Sequence, residues 1–131
     1  MSNISVPPSH LYIADHSNNS LISVGGAQRS MTLTCWCLGA KPPPAITWLR
    51  NDVIVTTGVT SSSAAAAGEG GGGLWDSWSV VLVDQLSPRR GGDTYTCRCE
   101  NDASTTPSEF NVRVNIHGQY IYSHDRLVIR T

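Results

Sequence analysis

The sequence of 131 residues has no run of 18 apolar residues, so no helix of it is expected to cross a bilayer. Lysine is nearly missing. Lys41 stands alone beside eight arginines, and the formal net charge is −1. A chain without a basic excess is not expected to bind nucleic acid or to insert into or coat an anionic membrane. The opening MSNISVPPSH has neither a charged n-region nor an apolar h-region, so it is not read as a secretory leader. Helical periodicity is absent as well. The one helix-friendly run, AAAA (64–67), is bounded by Ser61-Ser62-Ser63 and GEGGGG (68–73) and is too short to nucleate.

Catalytic patterns are missing too. His10, His16, His117 and His124 lie in the termini, outside the expected sandwich strands, and form no H-x-H or H-E-x-x-H motif. His124-Asp125 reads as a solvated pair. No G-x-S-x-G is present, GEGGGG lacks the G-K-[ST] of a phosphate loop, and no two carboxylates pair. The chain is therefore read as not an enzyme, with no cofactor and no metal.

What is present is strand pattern. SMTLTCWCL (30–38) alternates, with Met31, Leu33, Cys35 and Cys37 on one face. AITWLR (45–50) follows the turn-former KPPP (41–44). WSVVLV (78–83), DTYTCRC (93–99) and EFNVRVNI (109–116) are three more. HLYIA (10–14) and SLISV (20–24) are edge-strand candidates. In WSVVLV either Val81 and Val83 point inward, with Leu86 in the core, or a one-residue slip puts Val80 and Leu82 there. TTGVTSSSAAAAGEGGGG (56–73) is expected to be a flexible loop, because its side chains offer nothing to anchor it. Short strands divided by turns imply an all-β, two-sheet antiparallel sandwich. Its expected extent is residues 20–116, with an N-terminal segment 1–19 and a C-terminal tail 117–131. The tail's alternating run Leu127–Ile129 is either an edge strand or the start of a following segment.

TCWC (34–37) and TCRC (96–99) are two C-x-C pairs. Four cysteines would pair in an oxidising compartment and would suggest metal or redox work in a cytosolic one. The sequons Asn3-Ile-Ser and Asn18-Asn-Ser fit a secreted or cell-surface protein and make Asn3 and Asn18 glycosylation candidates. A four-thiolate zinc site is the rival use of the cysteines. Zinc ligands, however, are usually spaced C-x-x-C, and C-x-C on a straight strand splays two thiolates poorly for a tetrahedron.

Trp48 lies between the two pairs and Tyr95 two residues before Cys97. The stretches LTCWCLGAKPPPAITWLRND and DTYTCRCEND resemble an immunoglobulin-superfamily domain of C2 type, similar to those of nectin- and nephrin-like adhesion receptors. The resemblance implies an immunoglobulin sandwich with Trp48 and Tyr95 in its core. It also implies that the two cysteine strands face each other and run the same way. Cys35 would then bond Cys97, and Cys37 would bond Cys99. The chain departs from the family pattern at Gly91, where an aspartate is usual, and at Asp93, where glycine or alanine is. The usual arginine–aspartate bridge is thus missing, with Arg89 or Arg90 and Asp93 as a substitute.

A receptor of this kind is expected outside the cell, bound to another protein, homophilic or heterophilic, of the same superfamily. Thr94, Thr96, Arg98, Glu100, Asn111, Arg113 and Asn115 are expected to point outward. Thr96, Arg98, Glu100 and Arg113 are the candidate contacts, with Arg98 and Arg113 as neighbours. Trp36, between two inward cysteines, must face away from the core. It is either a contact or a residue covered by the 56–73 loop or the N-terminal segment. Trp75 or Trp78 is expected to plug an end of the sandwich. The alternatives are a structural spacer domain and a secreted immune-type recognition molecule.

Overall fold

A computed structural model describes residues 4–25, 30–66, 72–84, 92–117, 119–123 and 126–130, with backbone only from residue 116 onward. All regular elements among these residues are strands. One sheet takes β1 (His10–Ile13), β3 (Met31–Ala40), β7 (Trp75–Val83) and β6 (Val59–Ala65), in the order β1-β3-β7-β6 and antiparallel throughout. The other takes β2 (Ser20–Gly25), β9 (Ser108–His117), β8 (Asp93–Glu100), β4 (Ala45–Arg50) and β5 (Val53–Ile54), in the order β2-β9-β8-β4-β5. Its pairs are antiparallel except β2 with β9. β10 (Gln119–Ser123) and β11 (Arg126–Arg130) form a two-stranded ribbon of their own.

β1 and β2 are edges of different sheets, so the chain crosses between layers at residues 14–19. Asp15 and Asn19 turn it there at φ of 69° and 64°, a region that short polar side chains tolerate. β5 hangs on β4 through Asn51-Asp52, both with positive φ. That is the requirement of a two-residue hairpin turn, and asparagine meets it well. A variable-type sandwich would add two strands beyond β4. Here only β5 is added, and residues 55–58 run straight on to β6.

The inner faces alternate as period-two strands require. Leu33, Cys35 and Cys37 of β3, Val81 and Val83 of β7, Trp48 of β4, Tyr95, Cys97 and Cys99 of β8, and Val112 and Val114 of β9 are buried. Met31 packs at the margin of this core. The two registers left open for β7 are thereby decided: Val81 and Val83 face in, while Leu82 is exposed. Leu86 lies outside the described residues. Cys35 is bonded to Cys97 and Cys37 to Cys99, each across a sequence separation of 62. All four sulfurs are thus in disulfides.

One expectation is overturned. Residues 59–65 of the supposed loop are β6, which pairs with β7 from Val59↔Val81 to Ala65↔Trp75 without a register shift. Small polar side chains supply little burial. An edge strand, however, needs only a ladder on one flank and a few anchors, and β6 has both. Val59 packs against the core. The Ser61 hydroxyl donates to Ser79 Oγ at 2.8 Å, and the Trp48 indole N–H donates to the same oxygen at 2.9 Å. Ser79 is fully buried, so the hydroxyl pair satisfies the indole and ties β6 to the centre of the fold.

In the chain-entropy account, closing a loop of this length stabilises by roughly 4 kcal/mol. The second bond lies within nearly the same loop and adds much less. Replacing Cys37 and Cys99 together by alanine should therefore cost far less in urea unfolding than replacing all four cysteines. Two equal, additive losses would contradict this.

Candidate protein-binding face

In antiparallel pairs, opposed residues share a face, so the outer surface of the five-stranded sheet can be read in rows. One row is Thr47, Arg98 and Glu109. Arg98 Nε donates to Glu109 Oε2 at 2.8 Å, with both side chains partly exposed. An exposed pair of this kind contributes between nothing and about 1 kcal/mol to stability. It fixes the direction of Arg98 more than it holds the fold. Glu100 lies beyond it, exposed and opposite Ala45.

The next row is Ile54, Leu49, Thr96 and Asn111. Here the expectation for Thr96 fails. It is 6% exposed beside Leu49 at 4%, and its hydroxyl donates to Asn111 Oδ1 at 2.6 Å. Thr96 belongs to the middle strand of the sheet, so larger neighbours screen it on both flanks. It supports the face and cannot touch a partner. Asn111 N–H in turn donates to Asn18 Oδ1 at 2.8 Å, which stitches the turn before β2 to the sheet. Asn18 is exposed; Asn3 lies outside the described residues.

The row beyond contains Thr94, Arg113 and Leu21. Arg113 is exposed but is four residues along β9 from Glu109, the partner of Arg98. The two arginines are therefore about 13 Å apart along the strands rather than neighbours. Exposed apolar side chains stand at the two edges of this face: Leu21, 58% exposed, at one and Ile54, 60% exposed, at the other.

One end of this sheet is closed by Arg50 and Asp93, 2.8 Å apart. Asp93 Oδ1 also accepts from Asn51 Nδ2 at 2.9 Å, and Asn51 Oδ1 accepts from Thr94 N–H. The Arg50 guanidinium lies 6.0 Å from the centroid of the Tyr95 ring. Asp93 is thus bridged by Arg50, 43 residues away in sequence, and Arg89 and Arg90 are outside the described residues, as is Gly91. Gly92, at φ 77°, sets up this corner, because any Cβ there would overlap the Val114 carbonyl. The hydrogen bond to Asp93 holds Arg50 above its ordinary pKa against the effect of burial. Burial pushes the Tyr95 phenol up, and Arg50 opposes that in part.

Trp36 belongs to the other sheet's outer face. It stands in a row with Tyr12 of β1, Trp78 of β7 and Ser62 of β6. The Trp36 and Trp78 rings are 5.4 Å apart at 33°. The loop expected to cover Trp36 is instead β6, lying beside β7 in the same sheet, so in-plane neighbours half-bury the indole. Trp78 is therefore on a face and does not plug an end, while Trp75 is half-buried in the last pair of β7. The indole pair was hidden in the sequence, since it needs the β3–β7 register to bring residues 42 apart into contact.

Three comparisons bear on this geometry. A family model described as an immunoglobulin domain matches residues 24–110. The structure is similar to "Crystal Structure of Rst D1-D2", with TM-score 0.73 and 19% identity, covering 86% of this chain and 51% of that one. It is also similar to the full ectodomain (Ig1-Ig3) of mouse nectin-like molecule 4, with TM-score 0.59 and 17% identity, covering 86% of this chain and 35% of that one. The chain thus spans about half or less of the length of these two solved structures. No curated protein matches it by sequence.

Two outcomes follow from the Arg50–Asp93 corner. Asp93→Ala should lower stability by about 1.5–3 kcal/mol, the range for hydrogen bonds to a charged group, measured by chemical denaturation. A raised phenol pKa favours the protonated form in the folded state. The associated stability is present below about pH 10, where the unfolded tyrosine ionises, and is lost above it. The melting temperature should fall on the alkaline side, and less so in Tyr95→Phe.

Proposed function

The chain belongs to the immunoglobulin domain family, and we propose that it is an extracellular recognition domain of a cell-surface adhesion receptor. It binds another protein, of its own kind or a related immunoglobulin-superfamily chain, through the outer face of the five-stranded sheet. The observation that carries this reading is the make-up of that face. An oriented ion pair, Arg98 with Glu109, and an exposed Arg113 lie between the exposed apolar side chains Leu21 and Ile54. Central arginines with apolar contact area are what protein interfaces use. Disulfides persist in oxidising compartments, which supports the extracellular reading. Asn18 then becomes a glycan acceptor at the margin of the face, and the work is recognition rather than catalysis.

A spacer role is the second reading. It is favoured by the engagement of Arg98 with a neighbour on its own sheet, which leaves one charge fewer for a partner. A secreted immune-type molecule using its loops is less well supported, because Val59–Ala65 of the 56–73 segment is a strand laddered to β7.

The test is a binding screen of the oxidised domain against itself and a panel of immunoglobulin-domain ectodomains. If a partner is found, Arg98→Ala and Ile54→Asp should each weaken it at least tenfold while leaving the melting temperature within a few degrees. Binding unchanged by both would support the spacer reading.

A further inference from the structure

In the two sheets of the sandwich, four described strands are edges: β1 and β6 in one, β2 and β5 in the other. Natural edges are guarded against strand addition by charge, proline, bulges or shortness. β1 and β5 are short, at four and two residues. β2 has six residues and carries the protruding Leu21. β6 is the longest, with seven, and has none of these guards. Residues 56–66 include no charge and no proline, the β6–β7 register is unbroken, and every side chain from Thr60 to Ala65 is exposed.

The free backbone groups of β6 can be assigned. Leu82 N–H donates to the Gly58 carbonyl and Ala66 N–H to the Leu74 carbonyl. Even-numbered residues of this segment therefore exchange hydrogen bonds with β7. Odd-numbered ones, Val59, Ser61, Ser63 and Ala65, turn N–H and C=O toward the open edge.

We propose that β6 is a self-association edge, pairing antiparallel with β6 of a second copy about a two-fold axis at Ser62. In that register Ser61 meets Ser63 of the copy and Val59 meets Ala65, each as a hydrogen-bonded pair. Ser62 meets its own counterpart in a non-bonded pair, with Cα atoms about 4.5 Å apart. The occupant is a second copy because β6 offers backbone pairing and small side chains, with no charged group to select anything else. An identical strand meets both conditions at every position, as an isologous contact requires. The two four-stranded sheets then become one, with the Trp36–Trp78 pair of each copy on the same outer face. This contact is separate from the five-stranded face proposed for partner binding and leaves it open, so either assignment can fail without the other.

The test is sedimentation velocity of the oxidised full chain from micromolar to near-millimolar concentration. The expected result is a sedimentation coefficient that rises toward the dimer. Two variants should stay monomeric with an unchanged melting temperature. Ser63→Pro removes an edge donor that makes no bond to β7, and Ser62→Lys sets like charges together at the axis. Arg98→Ala should still dimerise, and Ser62→Cys should give a disulfide-linked dimer on oxidation. A strict monomer throughout, or a dimer that survives Ser62→Lys, would overturn the proposal. Should Ser63→Pro fail to fold, Ser62→Lys decides. A dimer lost in Arg98→Ala but not in Ser62→Lys would likewise overturn it and assign self-association to the five-stranded face.

Discussion

Two covalent ties set one strand-step apart, Cys35–Cys97 and Cys37–Cys99, hold β3 of one sheet against β8 of the other. Each of these strands is paired on both flanks, β3 by β1 and β7, β8 by β4 and β9. Fixing them positions most of both sheets. Trp48 lies in the same buried cluster, opposite Cys97 in the β4–β8 ladder, and its indole N–H is answered by Ser79 from across the core. Ser61 then extends this link to β6. A single centre of two disulfides, one indole and two hydroxyls thus reaches strands in both layers, including the edge that the composition alone would leave loose.

With the interior committed to that centre, the two outer faces are free to differ. The five-stranded sheet presents charge framed by apolar edges. Its inner strands β8 and β4 are screened so thoroughly that Thr96 and Leu49 are buried on the outward side. The four-stranded sheet presents an aromatic row, Tyr12, Trp36 and Trp78, ending at the small side chains of β6. The two proposed contacts, a partner on the five-stranded face and a second copy at β6, therefore use different surfaces. The Arg50–Asp93 corner keeps the end of the five-stranded sheet in place without using the residues of its face.

The sandwich and its inward residues were legible because alternation and the C-x-C, Trp and Tyr-x-Cys spacings are local signals, one strand long. What was not legible depended on register between strands. Alternation places Thr96 outward, yet its burial comes from being the middle of a row that only pairing defines. Arg98 and Arg113 lie on adjacent strands, but their separation follows from Glu109 being the residue opposite Arg98. β6 was misread because its composition signals disorder, while its stability comes from the β7 ladder and one hydroxyl aimed at a buried serine. Arg50 and Asn51 also reach Asp93 only through the fold, from a strand and a turn more than 40 residues away in sequence.

The central claim is that the cysteine–tryptophan centre makes both sheets one cooperative unit. Native-state amide exchange of the oxidised and the reduced protein tests it most directly, since sub-global openings appear as separate free energies. The account predicts that β3, β4, β7, β8 and β9 exchange through one shared opening, and that reduction lowers its free energy for all of them alike. Loosening confined to the residues around the four cysteines, with the other strands as protected as before, would contradict it.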